Sequence, residues 1–447
     1  MMNSVVKYGL LIAPAFLMAM PEAVQALRPA DCPEYEEREV SAGALGERTY
    51  SRLERIYEEI GDEEYTEAYE GLQALLERRL DDFERATVYQ AMGHVAGSED
   101  RISDAIEYFQ RSVELDRMPN NVHFEMKLQI ANLYYSEGEY QETIDRIGEW
   151  LCVAPEDKFN ANVFLLRAGS QAELDDYASA IDSINIAIDL EDEPREQWFR
   201  MRLGMELELD RYEDGASTLR TLIDMDPDRK EYWTQLSAVM LELDQEEDAM
   251  AVLKLAHRKN LLDSESEFRQ LASLLQAQGN PYLAARVLRD AIDAGVVEGS
   301  RRHWEQVAGA MYEARETDEA LVAYDNASDL SEDGRLDLQR ANILSRKEDW
   351  PAVVSATEQA LDRGGLTDNQ EGEAYQLIGM AHFNEENLDA AEQAFAQASN
   401  YSNSRRAAEE WLNHIRQERE RREQQRQQEE ADQQEDMTPE ERLQQAG

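Results

Sequence analysis

Along most of this chain, large apolar, small and aromatic residues recur in one fixed order at helical spacing. Residues 233–256 show the unit: Trp233, Leu236 and Ser237 fall on one helical face, and Ala249, Leu253 and Ala256 on the next. The same order returns as Trp304, Val307 and Ala308 followed by Ala320, Tyr324 and Ala327, and as Tyr375, Ile378 and Gly379 followed by Ala391, Phe395 and Ala398. Earlier it is carried by Ile130, Ala131, Tyr134, Gly138 and Tyr140, with Pro155 closing the unit. The small residue that opens each second helix is marked by Ala68, Ala105, Thr143, Ala180, Ala216, Ala249, Ala284, Ala320, Val353 and Ala391, at nearly even steps. These near-matches predict an all-α chain of about ten helix–turn–helix units, with surplus length in turns such as Met118-Pro119-Asn120-Asn121.

The pattern has a packing logic. Small residues at Ala131, Ala272, Ala308 and Gly379 let the first helix of a pair approach the second. Trp233, Trp304 and Phe395 fill the space between successive pairs, so Trp and Tyr read as core rather than as a ligand cage. One pair cannot bury its own apolar face, and neighbours must stack. The last pair needs a cover, and Ser404 to His414 supplies a helix with Ala407, Ala408, Trp411 and Leu412 on one side. Beyond it no apolar stripe remains, so the tail is either a charged helix held by i,i+4 pairs or disordered. Thr438-Pro439-Glu440-Glu441 reads as the capped start of one short final helix.

This order of residues resembles the tetratricopeptide repeat. The resemblance implies a right-handed α-solenoid whose first helices line a concave groove for protein partners. On that register Asn132, Tyr135, Arg269, Gln276, Tyr312, Asn342, Gln376 and Phe383 are expected to face the groove, the aromatics Tyr135, Tyr312 and Phe383 leading. Some members of the family clamp a C-terminal carboxylate with Lys and Asn from successive first helices. The corresponding Lys positions here are not Lys, so no such clamp is expected.

Charge narrows the partner class. The formal net charge is −50, which argues against nucleic acid and against anionic lipid surfaces. An acidic groove drawing a basic partner is one reading; a generally solvated acidic surface is the other, and the even spread of the acids favours it. The segment 1–26 reads as a secretory signal: Lys7 is the basic start, Tyr8 to Met20 the apolar run, and Val24-Gln25-Ala26 the cleavage site. The mature chain is then expected to be exported, to a bacterial periplasm, with no transmembrane segment. An oxidising compartment allows a disulfide between Cys32 and Cys152, which would tie the N-terminal strap to the third repeat; two free thiols too far apart are the alternative.

Nothing in the sequence supports catalysis, a metal or a cofactor. The histidines His94, His123, His257, His303, His382 and His414 are scattered, and no zinc spacing, phosphate loop or nucleophile elbow occurs. Asp224, Asp226 and Asp228 alternate near a turn but lack the Gly and closing Glu of a calcium loop. The resulting organisation is a signal peptide over 1–26, a strap over 27–43, the solenoid over 44–403, a capping helix over 404–416 and a charged tail over 417–447.

A narrower likeness rests on four local markers. These are Cys32-Pro33, Ala44-Leu45-Gly46-Glu47-Arg48, Gly279-Asn280-Pro281-Tyr282-Leu283-Ala284-Ala285 and Arg406-Ala407-Ala408-Glu409-Glu410-Trp411. They resemble the exported tetratricopeptide proteins encoded beside TonB, ExbB and ExbD homologues in marine and related proteobacteria. That resemblance implies a periplasmic, non-enzymatic accessory of a TonB-type transport system, with TonB, ExbD-type or TonB-dependent receptor components as partners. A scaffold for cell-wall or outer-membrane assembly is the second reading, and an enzyme with an unrecognised site the third.

Overall fold

The computed structural model describes residues 27–29, 32–40 and 43–436. The predicted signal peptide and the final helix beginning at Thr438 lie outside the described residues. The chain divides into two compact units, the first ending at Pro227 and the second starting at Asp228.

In the first unit the helices are α1 (Glu47–Gly61), α2 (Tyr65–Leu76), α3 (Asp82–Ser98), α4 (Ile102–Glu114), α5 (Asn120–Ser136), α6 (Tyr140–Val153), α7 (Ala161–Glu173), α8 (Tyr177–Asp189), α9 (Glu196–Glu208) and α10 (Tyr212–Met225). In the second they are α11 (Lys230–Glu242), α12 (Glu246–Arg258), α13 (Glu265–Ala277), α14 (Pro281–Asp293), α15 (Arg301–Glu313), α16 (Thr317–Asp329), α17 (Arg335–Arg346), α18 (Trp350–Arg363), α19 (Asp368–Asn384), α20 (Leu388–Ala398) and α21 (Arg405–Asp436). Within each unit every helix packs on the next in sequence, which is the construction of an α-solenoid. Odd-numbered helices up to α19 are the first of each pair, and α21 covers the last pair.

Every pair turns in the same way. One residue adopts a left-handed conformation two positions before the second helix: Glu63, Asp100, Gly138, Asp175, Asp210, Asp244, Gly279, Arg315, Glu348 and Glu386. The next amide donates five residues back, as from Asp176 to the Gln171 carbonyl and from Glu316 to that of Met311, both at 2.9 Å. This is the Schellman closure of a helix C-terminus. The small residue that packs the second helix on the first always lies five positions after the left-handed one. In the fifth pair that position is Gly215, not Ala216, and it sits against Leu203 and Leu207. Seating the marker on Gly215 evens its spacing to Ala180 and Ala249, so the position read from the sequence was one residue late.

Eight of these ten left-handed positions carry a side chain that the conformation disfavours by roughly 1–2 kcal/mol. Arg315→Gly is therefore expected to stabilise the second unit by about 1 kcal/mol, read as a rise in its urea midpoint. No rise would mean that the Arg315 side chain makes up for its own backbone cost.

The close approaches are made by glycine. A Cβ on Gly93 would lie 2.6 Å from the Phe109 ring, and one on Gly379 would lie 2.9 Å from that of Phe395. The indole of Trp150 is buried and donates to the Phe124 carbonyl at 3.0 Å. The cover packs through most of its apolar stripe: Trp411 stacks on Phe395 at 5.3 Å, and Ala408 and Ile415 are fully buried, whereas Ala407, read onto the same side, is exposed because it lies about 100° round the helix from Ala408. Helix α21 continues as a helix to Asp436, held by pairs such as Glu418–Arg422 at 2.9 Å. Of the two readings of the tail, the helical one holds as far as Asp436.

The strap runs back along the turns between pairs. Cys32 and Cys152 are joined by a disulfide, with S–S 2.01 Å and Cα–Cα 5.2 Å. Arg28 donates to the carbonyls of Leu151 (2.6 Å), Cys152 (3.1 Å) and Ala154 (2.8 Å), placing a cation on the exposed C-terminal carbonyls of α6. Arg38 reaches Asp116 at 2.6 Å, the Met118 carbonyl at 3.0 Å and Asn120 at 2.6 Å. Gly46 then donates to Glu84 at 3.1 Å, where the strap enters α1.

Next to Arg38 lies His123, which is 6% exposed. Burial, helped by the charges of Arg38 and Lys127, pushes its imidazole down to about 4. The unfolded chain protonates this group near pH 6.5. The folded form therefore binds fewer protons, and the stability it contributes is full above that value and lost as pH falls from about 6.5 to 4. Urea midpoints at pH 7 and 5 are expected to fall in the wild type by roughly 1 kcal/mol more than in His123→Gln. Equal declines would show that His123 is not the titrating group.

Candidate partner-binding surface

The eight residues read from the repeat register fall into two groups. Asn132 and Tyr135 belong to α5 in the first unit; Arg269, Gln276, Tyr312, Asn342, Gln376 and Phe383 belong to α13, α15, α17 and α19 in the second. Asn132 is exposed and bonds back to the Leu128 carbonyl at 2.9 Å. Tyr135 is half-buried, edge-on to Tyr140 at 5.4 Å with its hydroxyl beside Gly169 of α7.

In the second unit the odd helices are linked to one another by side chains. Gln276 of α13 donates to Glu313 of α15 at 3.0 Å. Arg346 of α17 donates to the Tyr312 hydroxyl of α15 at 2.7 Å, and Asn342 of α17 donates to Glu373 of α19 at 2.8 Å. Gln376 of α19 donates to the Ser404 carbonyl at 3.2 Å, just ahead of α21. The spacing puts these side chains on one face, and stacking brings each within reach of the next first helix. Phe383 departs from the set: its ring is packed by Trp411 at 5.1 Å and His414 at 5.3 Å, so the cover takes the contact surface expected for a partner.

Two clefts open along this face. The larger, of about 360 Å³, is lined among others by Arg301, Glu305, Asp333, Arg335, Asn342 and Glu373. Four of its charges are paired inside the site, Arg301 with Glu305 at 3.1 Å and Arg335 with Asp333 at 2.8 Å, while Glu373 accepts from Asn342. The Arg335 bonds hold the Asp333 carboxyl below the ordinary carboxylate range. The smaller, of about 50 Å³, has Ala272, Ser273, Ala284, Ala285 and Ala310 at its base, with Arg269, Gln276 and Gln306 around it. Neither cleft is a purely acidic trough, despite the net charge of −50. Arg301, Glu305, Asp333 and Arg335 were not picked out from the sequence, where charged residues near the start of a helix look like any solvated surface.

The histidines serve packing. His94, His123 and His257 lie edge-on to Phe109, Phe124 and Phe268, and His303 Nδ1 contacts the Glu298 carbonyl at 2.7 Å. Among the described residues no group of His, Cys, Asp or Glu is placed to hold a metal ion, and no helix is long and apolar enough to cross a membrane.

The architecture defines a helical-repeat protein of the solenoid class. Residues 86–117 and 372–404 match the tetratricopeptide repeat model, each span beginning fourteen positions before a left-handed turn residue, Asp100 or Glu386. No curated protein sequence matches the chain. Among solved structures, a tetratricopeptide repeat protein from Parabacteroides merdae is 13% identical, covering 60% of this chain and 100% of its own, with a TM-score of 0.35. YrrB, described as a TPR protein with an unusual peptide-binding site, is 15% identical, covering 46% of this chain and 96% of its own, with a TM-score of 0.33. MamA from Desulfovibrio magneticus is 13% identical, covering 40% of this chain and 98% of its own, with a TM-score of 0.31.

Proposed function

We propose that this protein is an exported, non-enzymatic scaffold that holds a segment of a protein partner along the odd helices of the second unit. The observation that carries the reading is the line of polar side chains from Gln276 to Gln376, joining successive first helices above two open clefts. Such a line offers a partner segment regularly spaced donors and acceptors, and the clefts admit side chains. Export is supported by the signal pattern over positions 1–26 and by a strap tied through a disulfide, a bond that persists in oxidising compartments. The four local markers make a TonB/ExbB/ExbD-type transport system the proposed setting, with TonB, ExbD or a TonB-dependent receptor as partner.

The test is a pull-down with the mature chain beside an Asn342→Ala/Arg346→Ala variant, read by mass spectrometry, with the N-terminus of the exported protein sequenced. Recovery of TonB, ExbD or a receptor by the wild type and not by the variant supports the transport adaptor. Recovery of wall synthases or outer-membrane assembly factors instead assigns the scaffold to envelope construction. Equal recovery by both proteins removes the second-unit face from the mechanism.

A further inference from the structure

The first unit carries a cleft of its own, unrelated to the line of side chains above. It opens between α4 and α6 and has α5 as its floor, with a volume of about 410 Å³. Gln110 and Val113 come from α4, Lys127 and Ile130 from α5, and Arg146 and Glu149 from α6. This size falls in the range of small-molecule sites.

What sets the cleft apart is a lysine without a bonded partner. The Lys127 side chain is half-buried and makes no hydrogen bond or close ion pair among the described residues; burial lowers its ammonium from the ordinary range. Arg146 directs its Nη atoms to Glu142 at 3.2 Å and Glu149 at 3.1 Å, while its Nε is enclosed and bonded to nothing. The Tyr134 hydroxyl accepts from Gln110 at 3.1 Å, which leaves its own proton to donate. Half-buried charged donors in folded proteins are nearly always satisfied, so an unbonded ammonium lining an open cleft marks a place for an acceptor.

We infer that this cleft binds a small organic monocarboxylate, its carboxylate accepting from Lys127 Nζ and its carbon skeleton lying on Val113 and Ile130. Glu142 and Glu149 are bonded to Arg146; Glu149 also attracts the Lys127 ammonium but makes no direct bond to it, so the Lys127 N–H donors remain open to a ligand. Glu114, exposed on the wall, and Glu149 turn away multiply charged anions such as phosphate.

Isothermal titration calorimetry of the mature chain with benzoate, benzamide and inorganic phosphate tests this. Saturable binding is expected for benzoate and for neither of the others, weakened roughly ten- to hundredfold in Lys127→Met. A circular-dichroism melt establishes that this variant folds. In the wild type, reductive ¹³C-methylation gives a Lys127 signal, assigned by its loss in Lys127→Met, which benzoate is expected to shift and benzamide to leave unmoved. The inference is overturned by the absence of saturable benzoate binding, by phosphate binding as well as benzoate does, or by a Lys127 signal that benzoate does not move.

Discussion

Asp337→Ala is expected to cost the second unit about 3–5 kcal/mol, the largest loss of any single substitution considered. Asp337 sits in the first turn of α17 and is fully buried. The Ser328 hydroxyl donates to one carboxylate oxygen, which Arg340 also approaches at 3.2 Å; the other oxygen faces Arg363 Nε at 3.3 Å. Arg363 in turn binds the carbonyls of Ser328 and Ser331, and Arg340 pairs with Asp325 at 2.6 Å. One carboxylate therefore joins the end of α16, the start of α17 and the end of α18. Removing it leaves two partly buried guanidinium groups facing each other across the gap. The cost of that exposed mismatch exceeds the net worth of the intact cluster. Hydrogen exchange of α16 to α18 amides reads the loss directly, and Asp337→Asn, which keeps the shape and drops the charge, should fall between wild type and alanine. A loss below about 1 kcal/mol would mean that Arg340 and Arg363 simply turn out to water.

Opening the disulfide is expected to lower the stability of the first unit by about 2–5 kcal/mol, as Cys32→Ser or as wild type in reductant. The bond closes a sequence separation of 120 residues, so the unfolded chain loses much freedom when it forms. Its loss also frees Arg28 from the end of α6 and gives the strap a route off the turns. Thermal melts with and without reductant, alongside hydrogen exchange of α3 to α6, separate this from a general effect, since α17 to α20 amides should not move. If the first unit melts unchanged, Arg28 and Arg38 hold the strap without the sulfurs.

Asp337 was not legible at sequence level, and the Cys32–Cys152 disulfide was there only as one of two open readings. In a chain with 95 acidic residues, one aspartate cannot be singled out by type. Its burial depends on three helices meeting, and its basic partners lie at Arg340 and Arg363, one close and one distant in sequence. The candidate surface was partly legible. Gln276, Tyr312, Asn342 and Gln376 follow from helical register, since positions on one face of consecutive first helices must line up once the pairs stack. Phe383 obeys the same register, yet its neighbour is the cover and not another repeat, so its ring is packed against Trp411.

The sequence by itself determined the helix pairs, their number and the cover at the end. All of these rest on local pattern: i,i+3 and i,i+4 apolar spacing, and glycine or alanine where two neighbouring helices touch. Tertiary structure alone decided that the fifth pair is seated on Gly215, that Cys32 meets Cys152, that Asp337 is surrounded by arginines and that Lys127 is left facing an open cleft. Those features depend on which side chains from separate pairs meet when the stack closes. A local pattern carries no record of that distance.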